Sequence, residues 1–109
     1  MPTVFVTQVP SKQIGGNWMP QVDLSPASKF GRVEIMLPPE SNRLLIAPLY
    51  AIIREKLKDF GPEDWIVALG DPSIFTAAAC FATKQNNGTL RLLKWDRKTG
   101  DYLPVELSI

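Results

Sequence analysis

The residues best placed to do chemistry are Gly70, Asp71 and Ser73, in the sequence GDPS at residues 70–73. The preceding WIVALG is continuously apolar, which is typical of a buried strand, and the residues that follow predict a helix. Open α/β sheets bind anions and nucleotides at such strand-to-helix corners, through free N–H groups and the helix dipole. The chain therefore offers one candidate nucleotide or anion site.

Three features of this corner favour a structural joint over a ligand site. Neither GxGxxG nor GxxxxGK[ST], the usual phosphate-binding patterns, is present. The carboxylate of Asp71 repels an anion unless it is occupied as the cap of the helix. Pro72, at the first helical position, has no N–H group to donate.

A second candidate is the sequence RLLKWDRKTGDY, in which Arg and Lys residues are interspersed with Trp and Tyr. Such residues on an exposed hairpin can stack on and neutralise single-stranded nucleic acid. They are also typical of protein-binding surfaces, where Trp, Tyr and Arg are enriched. Strand alternation places neighbours on opposite faces, so no clean basic stripe results. The candidate partner-binding residues of this segment are Arg91, Lys94, Trp95, Arg97, Lys98 and Tyr102.

Trp18 is a further candidate for partner binding. It lies in a stretch rich in Gly, Pro and Ser, which predicts a long irregular loop or hairpin excursion over about residues 10–31. A large aromatic residue in such a segment can anchor a partner or simply cover an edge of the core. Cys80, between Ala and Phe residues of a predicted helix, is expected to be a buried small residue rather than a reactive thiol.

The composition excludes several function classes. The chain has 109 residues, of which 12 are basic and 11 acidic, and a net charge of +1. It therefore has no overall positive potential that would attract the phosphates of nucleic acid. It contains no histidine and one cysteine, which excludes Ser-His-Asp triads, Cys-His dyads, common zinc sites and an internal disulfide. Catalysis by carboxylates, lysine or tyrosine stays open, but no motif suggests it. We expect a non-enzymatic protein without cofactor or metal.

The hydropathy pattern predicts no contact with a membrane. The longest apolar runs, LLIAPLYAII and IFTAAACFA, are well short of the ~20 residues that a spanning helix needs. The first residues lack the pattern of a secretion signal. A single cysteine fits a reducing compartment, so we expect a soluble cytoplasmic protein.

The periodicity predicts five main strands and two helices. Strand patterns occupy TVFVTQV, RVEIML, WIVALG, TLRLLKW and DYLPVEL, and a short strand is predicted within NWMPQVDL. One helix is predicted from about Ala47 to Phe60 and the other from Pro72 to about Lys84. The apolar stripe of the first helix comprises Leu49, Ile52, Ile53, Leu57 and Phe60.

The order β-(loop)-β-α-β-α-β-β predicts a single α/β domain over residues 1–109. We expect a small sandwich whose mixed sheet has right-handed βαβ crossovers and a C-terminal β-hairpin. An edge strand of this sheet could pair with its counterpart in a homodimer. Alternatively, Pro10, Pro38 and Pro104 could protect the edges from such pairing.

Three segments, SPASKFGRVEIMLPP, VALGDPSIFTAAACFA and LLKWDRKTGDYLPVEL, together resemble a group of small proteins encoded in tailed-bacteriophage genomes. The resemblance covers nearly the whole chain and implies a viral origin and an infected bacterial cytoplasm as workplace. It supplies no reaction and no catalytic residues.

The leading functional hypothesis is a phage accessory protein that binds a host or phage protein, for example to inhibit host defence or a polymerase. One alternative is nucleic-acid binding through the C-terminal hairpin. Another is nucleotide or anion binding at Gly70, Asp71 and Ser73.

Overall fold

The computed structural model of the protein describes residues 2–20, 22–38 and 46–109. Its strands are β1 (Thr3–Gln8), β2 (Ser11–Ile14), β3 (Asn17–Pro20), β4 (Arg32–Leu37), β5 (Trp65–Val67), β6 (Thr89–Asp96) and β7 (Asp101–Ser108). Its helices are α1 (Ile46–Lys56) and α2 (Pro72–Gln85), with a 3-10 helix over Ser25–Phe30 between β3 and β4.

The main sheet has five strands in the order β4-β1-β5-β6-β7. Strands β4, β1, β5 and β6 are parallel, and β7 is antiparallel to β6. The predicted α/β class, the βαβ crossovers and the C-terminal hairpin are therefore confirmed. From β1 the chain crosses to β4 on one side of it in the sheet. The later crossovers, from β4 to β5 and from β5 to β6, both move across the sheet in the opposite direction. Helices lie on one face and the β1–β4 connection on the opposite face, so all three crossovers have the same hand.

The sheet separates two layers of core. Phe5 of β1 contacts the helix side, whereas Val4 and Val6 contact the opposite side. Central strands of parallel sheets are covered on both faces, which explains why the last five residues of β1 are all buried. The helix-side core includes Leu49, Ile53, Leu57, Ile74, Ala78 and Ala82.

The 3-10 helix covers the opposite side. Ala27 is fully buried there, and Phe30 meets the ring of Trp65 edge-on at 5.7 Å between centroids. Lys29 forms an ion pair with Asp101, which ties this segment to the start of β7. This 3-10 helix, only six residues long, therefore covers the sheet as a crossover helix would.

Several predicted boundaries differ from the structure. The segment predicted as an irregular loop contains the β2–β3 hairpin, so the hairpin alternative and the short strand at Asn17–Pro20 are confirmed. Helix α1 ends at Lys56 rather than near Phe60, although Leu57 and Phe60 remain buried because the chain turns there. Ile52, predicted within the apolar stripe, is 41% exposed. Strand β5 ends at Val67, three residues before the predicted end.

Gly31 connects the 3-10 helix to β4 at a point where two chain segments touch. Its φ is +154°, and a Cβ at this position would lie 2.5 Å from the carbonyl oxygen of Pro2. That oxygen accepts a hydrogen bond from Arg32 N at 2.9 Å, the first bond between β4 and the amino-terminal strand. Only glycine allows this approach.

We expect Gly31→Ala to lower the free energy of unfolding by about 3 kcal/mol, since backbone strain adds to a collision with main-chain atoms. Gly100→Ala is the matched control. Gly100 has a φ of +67° and no atom within 4 Å of its Cβ position, so only strain of about 1 kcal/mol applies. Urea denaturation of both variants measures the difference, and an equal loss at the two positions would contradict the close approach.

Candidate functional site

The predicted corner at residues 70–73 lies at the point where the sheet reverses its strand order. From β1 the chain first moves to β4 on one side and then crosses to β5 on the other. The carboxyl ends of β1 and β5 diverge at such a point, and open α/β sheets bind ligands in the crevice between them. Topology therefore places Gly70, Asp71 and Ser73 where a ligand would be expected.

The N–H groups in the first turn of α2 are already used. Asp71 is the N-cap of α2, and its Oδ1 accepts hydrogen bonds from Ser73 N at 2.9 Å and Ser73 Oγ at 2.5 Å. The carbonyl oxygen of Asp71 accepts bonds from Ile74 N and Phe75 N, each at 3.1 Å. Pro72 has no N–H. Residues 72–75 therefore have no unbonded main-chain donor for an anion.

The crevice itself is filled by Gln8. This side chain is 3% exposed, and its Nε2 donates to the carbonyl oxygen of Pro38 at 3.1 Å. A Cβ at Gly70 would lie 3.2 Å from Gln8 O, which shows how closely the two chain segments pass. Thr7 Oγ1 donates to the carbonyl oxygen of Leu69 beside them. The corner is a packed joint, as its sequence favours, and its polar groups satisfy one another.

The aromatic residues of the β6–β7 hairpin belong mainly to the core. Tyr102 is 1% exposed, and its ring lies 4.9 Å from that of Trp95, which is half-buried. The Tyr102 hydroxyl donates to the carbonyl oxygen of Asp23 at 3.0 Å. The expectation that Tyr102 is an exposed contact residue is corrected, because the segment 22–31 covers this face of the hairpin.

The basic residues of the hairpin do not form one surface. The guanidinium of Arg91 stacks 3.8 Å from the ring centroid of Trp65, and its Nε donates to Asp64 O at 3.2 Å. Alternation places Lys94 on the face opposite Arg91. Arg97 and Lys98 lie in the turn after β6.

The turn also carries negative charge. Asp96 accepts bonds from Lys98 N at 3.1 Å and Thr99 Oγ1 at 2.9 Å, and Asp101 pairs with Lys29. Cationic side chains and carboxylates alternate at this end of the hairpin. The four basic residues predicted to bind a partner therefore do not form a continuous positive surface for phosphate groups.

The third candidate, Trp18, lies on a surface. It is 42% exposed on the β2–β3 hairpin, where Lys12 through Met19 are all exposed. The indole lines a cleft of about 500 Å³ together with Val9, Ser11, Val22, Asp23, Leu24, Ser25 and Ile35. Ile35, which is 47% exposed, lies on edge strand β4. The cleft thus contains Trp18, which the sequence predicts to be a contact residue, and several residues that the sequence does not indicate, among them Ile35.

Asp23 supplies the charge of this cleft. Its Oδ1 accepts a hydrogen bond from Ser25 N at 2.9 Å, and this bond, with a further one from the Ser25 side chain, lowers the pKa of Asp23 below its ordinary value. The group is therefore ionised at neutral pH. The cleft presents an apolar wall and one carboxylate.

The edge of β4 adds main-chain groups to the cleft. Arg32 N donates toward the amino-terminal strand, so alternation directs the N–H and C=O groups of Val33 and Ile35 away from β1. In the sheet, β4 pairs only with β1 among the described strands. The cleft and the open edge lie side by side at Ile35.

Cys80 is exposed, which corrects the expectation that it is buried. It lies on α2 between Ala79 and Phe81, both half-buried, and its own side chain points to the outer surface of the helix. The apolar character of its neighbours indicated burial, but an outer helix face can also be apolar when another surface covers it.

A family model described as Phage Pam3 gp32-like protein matches residues 2–109. No curated protein matches the chain, and no solved structure does. Within residues 2–20, 22–38 and 46–109, no helix is long and apolar enough to span a membrane.

Tyr102 couples stability to pH. Burial, with the nearby charge of Asp23, raises the pKa of the Tyr102 phenol above its ordinary value of 10.0. The neutral phenol therefore stabilises the fold below pH 10, and this contribution is lost as the pH rises through the raised pKa. We expect Tyr102→Phe to lower the free energy of unfolding at neutral pH by about 1 kcal/mol, through loss of the bond to Asp23. It should also flatten the decline in stability above pH 10, measured by urea denaturation, and an unchanged decline would contradict this role.

Asp71 should act through capping rather than ligand binding. We expect Asp71→Ala to lower the free energy of unfolding by about 1 kcal/mol and Asp71→Asn, which keeps a capping oxygen, to restore most of it. A panel of nucleotides and inorganic phosphate should leave the melting temperature of the wild-type protein unchanged. A rise that grows with ligand concentration would instead establish a site at this corner.

Proposed function

The chain belongs to the Phage Pam3 gp32-like protein family, and from that premise we propose that it is a non-enzymatic accessory protein that binds a host or phage protein. Its place of action is the cytoplasm of the infected bacterial cell. Inhibition of a host-defence or polymerase component is one form of such an activity. The contact surface is the cleft between Trp18 and Ile35, which we call the Trp18 cleft.

The observation that carries this proposal is the exposure of apolar side chains on the β2–β3 hairpin and on the neighbouring edge strand β4. Trp18 is 42% and Ile35 47% exposed, and Ile14, at the hairpin turn, is 55% exposed. Two-stranded hairpins bury too little to fold alone, so this one depends on the body of the protein for its position. An exposed aromatic residue beside an apolar cleft has the features of an interface hot spot.

The chemistry of the cleft defines the partner segment. The outward main-chain groups of Val33 and Ile35 can pair with an extended chain, which adds a strand to the edge of the sheet. An aliphatic or aromatic side chain of that segment fits between Trp18 and Ile35. A basic residue nearby would pair with the ionised Asp23 at the rim. The partner is therefore an extended apolar segment with an adjacent Lys or Arg.

Trp18→Ala should weaken partner binding by about 30-fold, because removal of a hot-spot residue costs about 2 kcal/mol. Ile52→Ala is the matched control, since Ile52 has nearly the same exposure, 41%, but lies on α1. The immobilised protein captures its partner from a lysate of phage-infected host cells, and mass spectrometry identifies it. Isothermal titration calorimetry with the purified partner then compares the variants.

The same assay separates this proposal from its alternatives. Asp23→Asn should weaken binding less than Trp18→Ala and reduce its dependence on salt, since a rim charge acts mainly on association. Equal binding by the wild-type protein and Trp18→Ala would reject the cleft. Capture that is lost after nuclease treatment, with affinity that falls steeply as salt increases, would favour nucleic acid instead.

A further inference from the structure

An apolar trough lies on the helix face of the sheet, opposite the Trp18 cleft. It runs between α2 and the β6–β7 hairpin and encloses about 510 Å³. The sheet lacks a cover here because β6 and β7 are joined by a short turn over residues 97–100, which leaves no crossover helix above them. The trough is lined mainly by Ala79, Cys80, Leu90, Leu92, Leu107 and Ile109.

The large side chains of the trough are unusually exposed. Leu107 is 52% and Ile109 95% exposed, and Leu103, on the same face of β7, is 44% exposed. A contiguous apolar surface of this kind on a small protein commonly marks an interaction site. Lys84 is the charged residue in the lining, and Lys94, the cross-strand neighbour of Leu103 on the same face, limits the apolar surface at that end.

The composition of the outer face of α2 also indicates an interaction site. Residues 72–83 contain no charged side chain, although Ser73, Thr76 and Cys80 are exposed. In α1, charged residues occur only in the last turn, where Arg54, Glu55 and Lys56 are all exposed. The outer face of α2 therefore has the composition of a surface that another protein surface covers.

We propose that this face joins two copies of the chain in a homodimer. The exposed residues Ser73, Thr76 and Cys80 give α2 a ridge of small side chains, and the trough beside this ridge encloses about 510 Å³. A two-fold axis parallel to α2, between ridge and trough, places the ridge of each copy in the trough of the other. The contact is then isologous, since one patch supplies both complementary shapes. The two α2 helices form a common layer between the two sheets.

The size of the patch is that of a weak or transient interface. An interface side of ~800 Å² formed by 20–30 residues corresponds to roughly 35 Å² per residue. The residues lining the trough, with Ser73 and Leu103 at its margins, would bury about 500 Å² per copy and ~1,000 Å² in total. This is near the lower bound for a specific interface. We expect reversible dimerisation with a dissociation constant in the micromolar range.

Pairing through the outer edge of β7 is the competing arrangement, and β7 resists it. Ile109 N donates to Gly88 O, so alternation directs the N–H positions of residues 102 and 104 away from β6. Tyr102 N donates to Asp101 Oδ1 at 2.8 Å, and Pro104 has no N–H. Half of this edge therefore lacks donors for a second strand.

Sedimentation velocity over a concentration series tests the dimer. The wild-type protein should shift from its monomer mass of 12.1 kDa to twice that value between ~1 and several hundred micromolar. Leu107→Lys, on the strand wall, and Thr76→Arg, on the helix ridge, should each raise the dissociation constant at least about tenfold, since both bury a charge in an apolar contact. Ile14→Lys is the matched control, because Ile14 is 55% exposed on the β2–β3 hairpin, and it should leave dimerisation unchanged.

Cys80 provides a second readout. Because a two-fold axis beside α2 places Cys80 opposite its own copy, mild oxidation should yield a disulfide-linked dimer at concentrations where the protein associates. Leu107→Lys should suppress the cross-link although its thiol is equally exposed, and Trp18→Ala should not. A protein that stays monomeric at several hundred micromolar, or one whose dimer withstands both Leu107→Lys and Thr76→Arg, would overturn the proposal. Neither result would bear on binding at the Trp18 cleft.

Discussion

The structure depends on the burial of β1 on both of its faces. Val4 and Val6 are fully buried on one side of the sheet, and Phe5 is 7% exposed on the other. A central parallel strand with this composition requires a layer on each face. Helices α1 and α2 form one layer, and the short segment ending in Gly31 forms the other. That segment ends where β4 begins to pair with the amino-terminal strand, and Gly31 there lies so close to Pro2 that position 31 has no room for a side chain.

Coverage of the sheet ends where the crossovers end, and this leaves the Trp18 cleft and the apolar trough open. On the side of the 3-10 helix, the cover reaches Val33 of β4 but leaves Ile35 and the neighbouring Trp18 accessible. On the helix side, the cover stops at β6 because the connection to β7 is a tight hairpin. Both surfaces follow from the topology, and the lack of charged residues at 72–83 adds to the apolar character of the second. The corner at Asp71 is the opposite case, since it lies where ligands bind in many α/β proteins but is filled by Gln8.

Local signals in the sequence were sufficient for the five main strands and the two α-helices, but not for β2, the 3-10 helix or the surfaces. Asp71 followed by Pro72 predicts the start of α2, and both residues take the expected cap and first-turn positions. Tyr102 and Trp95 lie on strands whose alternation identifies one shared face but not what covers it. The cover comes from Asp23 and its neighbours, 79 residues earlier than Tyr102. Ile35 likewise lies in a regular strand, and only the strand order makes it an edge residue. Such long-range pairings leave no periodic signal in a single sequence.

The proposed dimer and the proposed binding cleft are compatible because they use opposite faces of one sheet. In the dimer, the α2 helices lie between the two sheets, so the faces that carry Trp18 point outward on both copies. A partner with two copies of its binding segment could then occupy both clefts at once. Linked binding of this kind raises the overall affinity by ~10²–10⁴-fold when the spacing allows both contacts. A weak cleft and a weak dimer contact would together suffice for tight binding of a multimeric target, with no single extensive interface on a chain of 109 residues.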